Sequence, residues 1–161
     1  MASQGQGDWF SLPSGLRWVE VGCGTGALTE SILKYADPGS VTGTKPSEGF
    51  LNMARGRIHD KRAVFKSGDA TSIPLKDVET DVLVAGLVLN FVPDKQHALQ
   101  EMRRVLQLGS TVACNVWGYS GEMQLMRYSR NAVTELFPDG ADHDEGKQFP
   151  ICNPGPLEDL F

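Results

Sequence analysis

Short apolar runs alternate with helical segments between residues 17 and 117, and this alternation is the feature that most restricts the fold. The runs predict five β-strands, at Arg17–Val21, Ser40–Thr44, Ala63–Lys66, Asp81–Gly86 and Thr111–Trp117. Several are too continuously apolar for a sheet with one wet face. Amphipathic segments follow the first, second and fourth strands, and right-handed crossovers make the strands parallel. The predicted fold is α/β, a doubly wound, mainly parallel sheet of about five strands.

Capping residues predict where the helices begin and end. Ser47 and Asp94 are suited to N-cap the second and third helices, and Gly109 is placed to end the third. Further along, Glu122–Leu136 predicts another helix, and Phe137–Pro156 predicts an acidic loop rich in Pro and Gly. No sixth strand is predicted. The outer edge of the fifth strand would then stay unpaired, which favours a homodimer through that edge.

Composition excludes several classes of protein. The chain has 161 residues, enough for one domain, with 40% hydrophobic residues and a net charge of −5. These values argue against disorder, a nucleic-acid partner and an anionic membrane surface. Cys23, Cys114 and Cys152 lie far apart without CxxC spacing, so neither a disulfide framework nor a metal site is predicted. No apolar window reaches the ~20 residues of a membrane span, and we expect a cytoplasmic domain.

A glycine-rich turn follows the first predicted strand, in the sequence VEVGCGTGALT of Val19–Thr29. Gly22, Gly24 and Gly26 lack a Cβ and accept positive φ, so a ligand can approach the backbone closely. Doubly wound folds bind ligands in this place, outside the carboxyl ends of their strands. The simpler reading, in which three glycines only form a tight turn, is weakened by the strand before them and the helix after them.

Two ligand classes compete for this turn. The spacing Gly22-x-Gly24-x-x-Ala27 fits a dinucleotide fingerprint, and Lys45 after the second strand could pair with a 2′-phosphate. That combination favours an NADP-binding oxidoreductase. Glu20 favours the other class, because its negative charge would repel a pyrophosphate and attract a cationic amino acid headgroup.

Four motifs resemble the class I S-adenosylmethionine-dependent methyltransferases of the small-molecule type. They are Glu20–Gly26 (EVGCGTG), Ser67–Ala70 (SGDA), Asp81–Asp94 (DVLVAGLVLNFVPD) and Met102–Leu106 (MRRVL). The resemblance covers roughly residues 15–118. It implies a Rossmann-like fold, S-adenosyl-L-methionine as the cofactor and methyl transfer to a small organic acceptor.

The resemblance also implies roles for single residues. Gly22 and Gly24 would pass against the methionine part, Glu20 would face its ammonium, and Asp69 would hold the adenine amine. Gly86 and Leu87 would line the sulfonium side. The complete set of implied cofactor residues is Glu20, Gly22, Cys23, Gly24, Lys45, Pro46, Asp69, Ala70, Gly86 and Leu87.

The sequence departs from the family in two ways. Lys45 stands where an acid should accept hydrogen bonds from the ribose hydroxyls, and Glu48 is the nearest substitute. The family's leading helical region and last two strands are also missing, so we expect a section truncated at both ends. We divide it into an N-terminal remnant at 1–16, a cofactor-binding core at 17–118, and a helix with an acidic loop at 119–161, a substrate-side or lid segment. These departures keep open a non-catalytic, methyltransferase-like binding module.

Methyl transfer is an in-line displacement that alignment and exclusion of water can promote, and the sequence names no catalytic residue. His59, His97 and His143 read as surface residues. Asn90 and Phe91 follow the fourth strand, where an acceptor would meet the cofactor. Apolar and aromatic surface for a small organic acceptor is also supplied by Trp117, Tyr119, Met123, Met126 and Tyr128.

Overall fold

The computed structural model describes residues 12–119, 123–137 and 145–161. Five strands form one sheet in the order β3-β2-β1-β4-β5, and every neighbouring pair is parallel. The strands are β1 (Arg17–Val21), β2 (Ser40–Lys45), β3 (Ala63–Ser67), β4 (Thr80–Gly86) and β5 (Leu106–Asn115). The predicted α/β, doubly wound, parallel sheet is confirmed.

Six α-helices are described, and three of them connect strands. They are α1 (Ala27–Tyr35), α2 (Glu48–Arg57), α3 (Lys95–Val105), α4 (Gln124–Leu136), α5 (Glu145–Gln148) and α6 (Pro154–Glu158). Asp94 caps α3 as predicted, since its carboxylate accepts a hydrogen bond of 2.9 Å from the His97 amide. Ser47 occupies the N-cap of α2 without a side-chain hydrogen bond. None of the described helices is long and apolar enough to cross a membrane.

The central strands are apolar on both faces because the sheet is covered on both sides. In β1, Val19 and Val21 pack into one core with Leu83 and Ala85 of β4. Trp18 lies on the opposite face, in a second core with Val82 and Val84 of β4. This two-sided burial explains why the sequence pattern located both strands.

The fifth strand begins earlier than the sequence predicted. β5 starts at Leu106, directly after α3, and the predicted helix end at Gly109 is wrong. Pairing with β4 jumps from Thr80↔Leu106 to Val82↔Thr111, so β5 advances five residues while β4 advances two. Gly109 has φ +84 within this irregularity, a conformation typical of a residue in a β-bulge.

The last described residues pack on the same core as the sheet. Ile151 and Cys152, in a short 3-10 helix at Pro150–Cys152, are buried with Met102 and Val105 of α3. The segment predicted as an acidic loop therefore includes structure that closes the core. No strand follows β5 in the described ranges, and β5 has no partner there on its outer side.

Candidate functional site

The three glycines of the turn after β1 all have positive φ, but the space around them differs. Gly22 has φ +78, and a Cβ there would clash with the Val88 side chain in the loop after β4. A Cβ on Gly26, at φ +87, would lie 2.6 Å from Ile58 Cδ1. A Cβ on Gly24, at φ +55, would meet no atom within 4 Å. Gly22 and Gly26 are therefore required by packing, whereas Gly24 leaves its backbone open to a ligand.

The turn is held against the neighbouring strand. The amides of Gly22 and Cys23 donate to the Thr44 carbonyl, at 2.8 and 3.0 Å. Cys23 is buried beside this contact, and burial together with the Glu20 charge raises the pKa of its thiol to about 12. Cys23 therefore stays protonated at neutral pH and is a wall residue rather than a nucleophile.

Glu20 is a buried carboxylate at the base of the turn. Its residue exposure is 3%, and the Thr29 hydroxyl of α1 donates a hydrogen bond to Oε2. No basic side chain of the described residues forms an ion pair with it. Burial raises the Glu20 pKa to about 7, and the hydrogen bonds from Thr29 oppose that shift. The turn therefore has a site for positive charge that the described chain leaves without a cationic partner.

The ten predicted cofactor residues line two cavities that share Gly22. A cavity of about 690 Å³ is lined by six of them: Glu20, Gly22, Cys23, Gly24, Gly86 and Leu87. It continues along the sheet face past Trp18 and Val82, so it is larger than the strand-end crevice. A cavity of about 470 Å³ is lined by Gly22 with the other four: Lys45, Pro46, Asp69 and Ala70. The structure thus brings all ten residues together, and their individual roles remain predictions.

Asp69 is part of a tight turn as well as the wall of the second cavity. Its Oδ1 accepts hydrogen bonds of 2.7 Å from both the amide and the hydroxyl of Thr71. The Thr71 hydroxyl is the main cause of the lowered pKa of Asp69, so this side chain is an anion and an acceptor. The Ser72 amide is a further, weaker cause of that shift, and the carboxylate lines the second cavity, where it can accept a hydrogen bond from a ligand.

Lys45 and Glu48 do not reproduce the acid expected after β2. The Lys45 ammonium lies 5.6 Å from the centre of the Phe50 ring, a cation–π contact. Glu48 forms an ion pair with Arg55 on the surface of α2. The substitute acceptor considered from the sequence is therefore already engaged.

Sequence reasoning missed Asn115, which shapes the turn after β4. Leu87 has φ +59, a strained conformation for a residue with a branched side chain. Its amide donates to both the carbonyl oxygen and Oδ1 of Asn115, at 3.0 and 3.1 Å. This forked hydrogen bond fixes the Leu87 backbone on the wall of the first cavity. An Asn at the end of a strand gave no recognisable signal.

A third cavity, of about 560 Å³, lies beside the loop after β4. It is lined by Asn90, Phe91, Val92, Pro93, Lys95, Gln148, Phe149, Pro150 and Ile151. The Phe91 and Phe149 rings meet edge to face, with centroids 5.6 Å apart. Phe149 in turn lies 5.8 Å from Tyr119, which stacks on Trp117. The sequence named Asn90, Phe91, Trp117 and Tyr119 but not Phe149.

The next residues are two that the sequence suggested for the acceptor surface, Tyr128 and Met126, and the three histidines. Tyr128 is 69% exposed and Met126 is half-buried on α4, so neither is a core residue. His59 and His97 are exposed, as predicted. His143 lies outside the described residues.

A family model described as a methyltransferase domain matches residues 19–114, more than half of the chain. The chain belongs to this methyltransferase domain family. The predicted resemblance and the Rossmann-like fold are thereby confirmed. The match includes the glycine turn, Asp69 and the strand end at Gly86, the elements that line the first two cavities.

Known proteins similar to this methyltransferase domain have different functions. A demethylmenaquinone methyltransferase from Roseiflexus sp. is 34% identical over 102 residues, 63% of this chain and 43% of that protein. A solved S-adenosylmethionine-dependent methyltransferase from Mesorhizobium loti has a TM-score of 0.62 at 25% identity, covering 67% of this chain and 51% of that one. The solved cyclase SpnF has a TM-score of 0.57 at 30% identity, covering 63% and 39%. The chain spans less than half the length of the curated relatives it matches.

Proposed function

We propose that this domain binds S-adenosyl-L-methionine and transfers its methyl group to a small organic acceptor. The observation that carries the proposal is the buried Glu20 carboxylate beneath the glycine turn, with Thr29 as its hydrogen-bond donor. A carboxylate in this position complements the ammonium of an amino acid headgroup. A pyrophosphate would be repelled by the same charge, which disfavours the NADP alternative.

The residues present fit the methionine and adenine ends of this cofactor. A Cβ on Gly24 would project into open space, so the bare backbone there can be covered by a ligand. The Asp69 carboxylate can accept a hydrogen bond from an amine, and Pro46 and Ala70 line the same cavity. Lys45 fits the ribose end poorly because an ammonium only donates hydrogen bonds. We therefore expect binding with reduced affinity.

The bound cofactor would supply a methyl group on a positively charged sulfur. The residues of this chain would bind and orient the cofactor and exclude water. Glu20 would hold the ammonium, and the fixed Leu87 turn would line the sulfonium side. Alignment of this kind accounts for a large part of the rate of a displacement reaction. The proposal assigns the carboxylates of Glu20 and Asp69 at these cavities to holding the cofactor and names no general base. An acceptor that is already nucleophilic needs none.

Calorimetric titration tests the cofactor proposal. We expect S-adenosylhomocysteine to bind and NADPH not to bind. If NADPH binds while millimolar S-adenosylhomocysteine does not, the proposal is wrong. The first turnover assay measures release of S-adenosylhomocysteine with demethylmenaquinone, the acceptor for which the similar methyltransferases are named. Cofactor binding without turnover on any acceptor would favour the second candidate, a non-catalytic binding module, which Lys45 alone supports.

We also propose that the domain works in the cytoplasm, without nucleic acid, as a homodimer through the β5 edge. Its three cysteines are free, which suits a reducing compartment, and its net charge is −5. The β5 edge has no partner in the described residues and carries the exposed Leu108 and Val112. Light scattering should report a dimer that Val112→Lys converts to a monomer. A wild-type monomer at all micromolar concentrations would contradict the dimer.

A further inference from the structure

We propose that α4 is a docking surface for a helix of another protein, and that this partner helix carries basic side chains at one end. α4 lies apart from the proposed cofactor site, because none of its residues lines the three cavities described above. A partner bound to α4 therefore does not occupy those cavities.

The apolar stripe of α4 faces outward. Leu125, Tyr128, Ala132 and Leu136 follow one another at helical spacing, and all four are exposed. Together with Val133 they form the outer face of α4. Leu125 is 81% exposed, Tyr128 69% and Leu136 74%. A helix that packs only within its own domain turns such a stripe towards the core.

The inner side of α4 is mainly polar. No residue of the helix is fully buried, and three of its four half-buried residues are Arg127, Arg130 and Thr134. The Arg130 guanidinium pairs with the Glu145 carboxylate of α5, with 2.7 Å between Nε and Oε2. This ion pair holds the helix with its polar side inward and its apolar side towards solvent.

An exposed apolar stripe of this kind favours a protein partner. Contiguous apolar patches on a surface mark interaction sites. Because the apolar side chains of the outer face recur at helical spacing, they match the apolar side of a second helix, whose ridges fit between them.

Charge at the C-terminal end of α4 selects the kind of helix. Residues 131–146 contain five acidic residues and no Lys or Arg. The last turn of α4 therefore has no basic side chain to balance the negative end of the helix dipole, and Glu135 is exposed there. Basic side chains of a partner helix would interact favourably with this end.

The same charges disfavour two other occupants. A second copy of this chain keeps Arg127 and Arg130 on the inner side of α4, so its outer face has no basic group to offer. An anionic lipid surface would be repelled by the acidic residues. A basic amphipathic helix matches both the apolar stripe and the charge.

Fluorescence anisotropy of two labelled peptides tests the docking surface. Both peptides are designed amphipathic helices of about the length of α4, one built of Leu and Lys and the other of Leu and Glu. We expect the Leu/Lys peptide to bind the wild-type chain with micromolar affinity, and the Leu/Glu peptide to bind about tenfold more weakly or worse. Added salt should weaken binding of the Leu/Lys peptide.

Matched variants locate the bound peptide. Leu136→Gln removes an apolar side chain from the outer face, as does Leu125→Gln, and Leu108→Gln is the control at the exposed β5 edge. Glu135→Lys reverses a charge at the end of α4, and Glu158→Lys is the control at an exposed position of α6. The three α4 variants should each weaken the Leu/Lys peptide about tenfold, and the two controls should not. Because all five positions are exposed, the melting temperatures should stay close to that of the wild type.

Other results would overturn the inference. Leu/Lys binding that survives both Leu136→Gln and Leu125→Gln would place the peptide elsewhere. Equal affinity for the two peptides, or no binding of either at millimolar concentration, would rule out a basic helix as the partner. A dimer in light scattering that Leu136→Gln disrupts and Val112→Lys leaves intact would make the occupant a second copy. Binding to phosphatidylcholine vesicles that Leu136→Gln abolishes would make it a lipid surface.

Discussion

The Thr29 hydroxyl donates a hydrogen bond to the buried Glu20 carboxylate, joining the first turn of α1 to the end of β1. This contact lies under the glycine turn and is shielded from water, because both residues are almost fully buried. It partly compensates for burying the carboxylate, but the Glu20 pKa still rises to about 7. The residue proposed to bind the ligand is therefore one that the free protein holds at a cost in stability.

Glu20 should make folding stability depend on pH. Below pH 4.5, its ordinary pKa, Glu20 is protonated in both the folded and the unfolded state, so its ionisation does not change the free energy of unfolding. Between pH 4.5 and about 7 the unfolded state is ionised while the folded state keeps its proton, so stability falls as pH rises. Above pH 7 the full penalty is present, about 3 kcal/mol.

Urea unfolding of wild type and Glu20→Gln from pH 4 to pH 8 measures this effect. We expect the stability advantage of Glu20→Gln to grow with pH and to level off above about pH 7. Glu158→Gln, at an exposed carboxylate on α6, is the control and should show no comparable trend. Parallel stability curves for wild type and Glu20→Gln would show that folding does not shift the Glu20 pKa, and would contradict the prediction.

The same proton should be released when a ligand ammonium binds. Pairing with the ammonium requires the ionised carboxylate, so S-adenosylhomocysteine should bind about tenfold more tightly at pH 8 than at pH 6. Calorimetry at pH 6 in buffers with different ionisation enthalpies should detect close to one proton released. Glu20→Gln should bind more weakly and lose the pH dependence. A flat wild-type profile would mean that the ammonium does not reach Glu20.

The sequence located the central strands well because their environment leaves a direct pattern. β1 and β4 are covered on both faces, so both strands are mostly apolar and have sharp ends, with Glu20 as the charged exception in β1. β5 lies at the edge of the sheet, and exposed residues such as Leu108 alternate irregularly there. Its start was missed because a glycine was interpreted as a helix end when it belongs to an irregularity in the strand.

The site was predictable where one short motif builds it and not where distant segments meet. Glu20 and the glycines are consecutive, and their geometry follows from one strand–turn–helix. Asn115 reaches Leu87 across 28 residues, and Phe149 reaches Phe91 from the segment after α4. Such contacts depend on tertiary packing, which a periodic pattern does not encode.

Gly24 and Gly15 form a matched pair for testing the ligand contact at the turn. Both have positive φ, +55 and +80, and a Cβ on either would meet no atom within 4 Å. We expect Gly24→Ala and Gly15→Ala each to lower the free energy of unfolding by about 1 kcal/mol, the cost of this conformation with a side chain. Only Gly24→Ala should weaken S-adenosylhomocysteine, tenfold or more. Equal affinity in both variants would show that the ligand does not cover Gly24.

Lys45 is the residue most at odds with the proposed cofactor, and its replacement is the sharpest test of the ribose position. An acid there would accept hydrogen bonds from two hydroxyls, whereas Lys45 accepts none and adds positive charge near a sulfonium site. Lys45→Asp should therefore tighten cofactor binding by ~1–3 kcal/mol, about tenfold or more. Because S-adenosylhomocysteine lacks the sulfonium charge, S-adenosylmethionine should gain more than S-adenosylhomocysteine.

Two further variants separate the hydrogen bonds from the charge in that comparison. Lys45→Ala should recover only the part of the affinity that comes from removing the ammonium. Lys61→Asp makes the same change of charge at an exposed turn before β3 and should leave binding unchanged. If Lys45→Asp binds no better than Lys45→Ala, the ribose is not held at the end of β2. Since Glu48 is already paired with Arg55, that outcome would require the ribose hydroxyls to find another acceptor in the cavity.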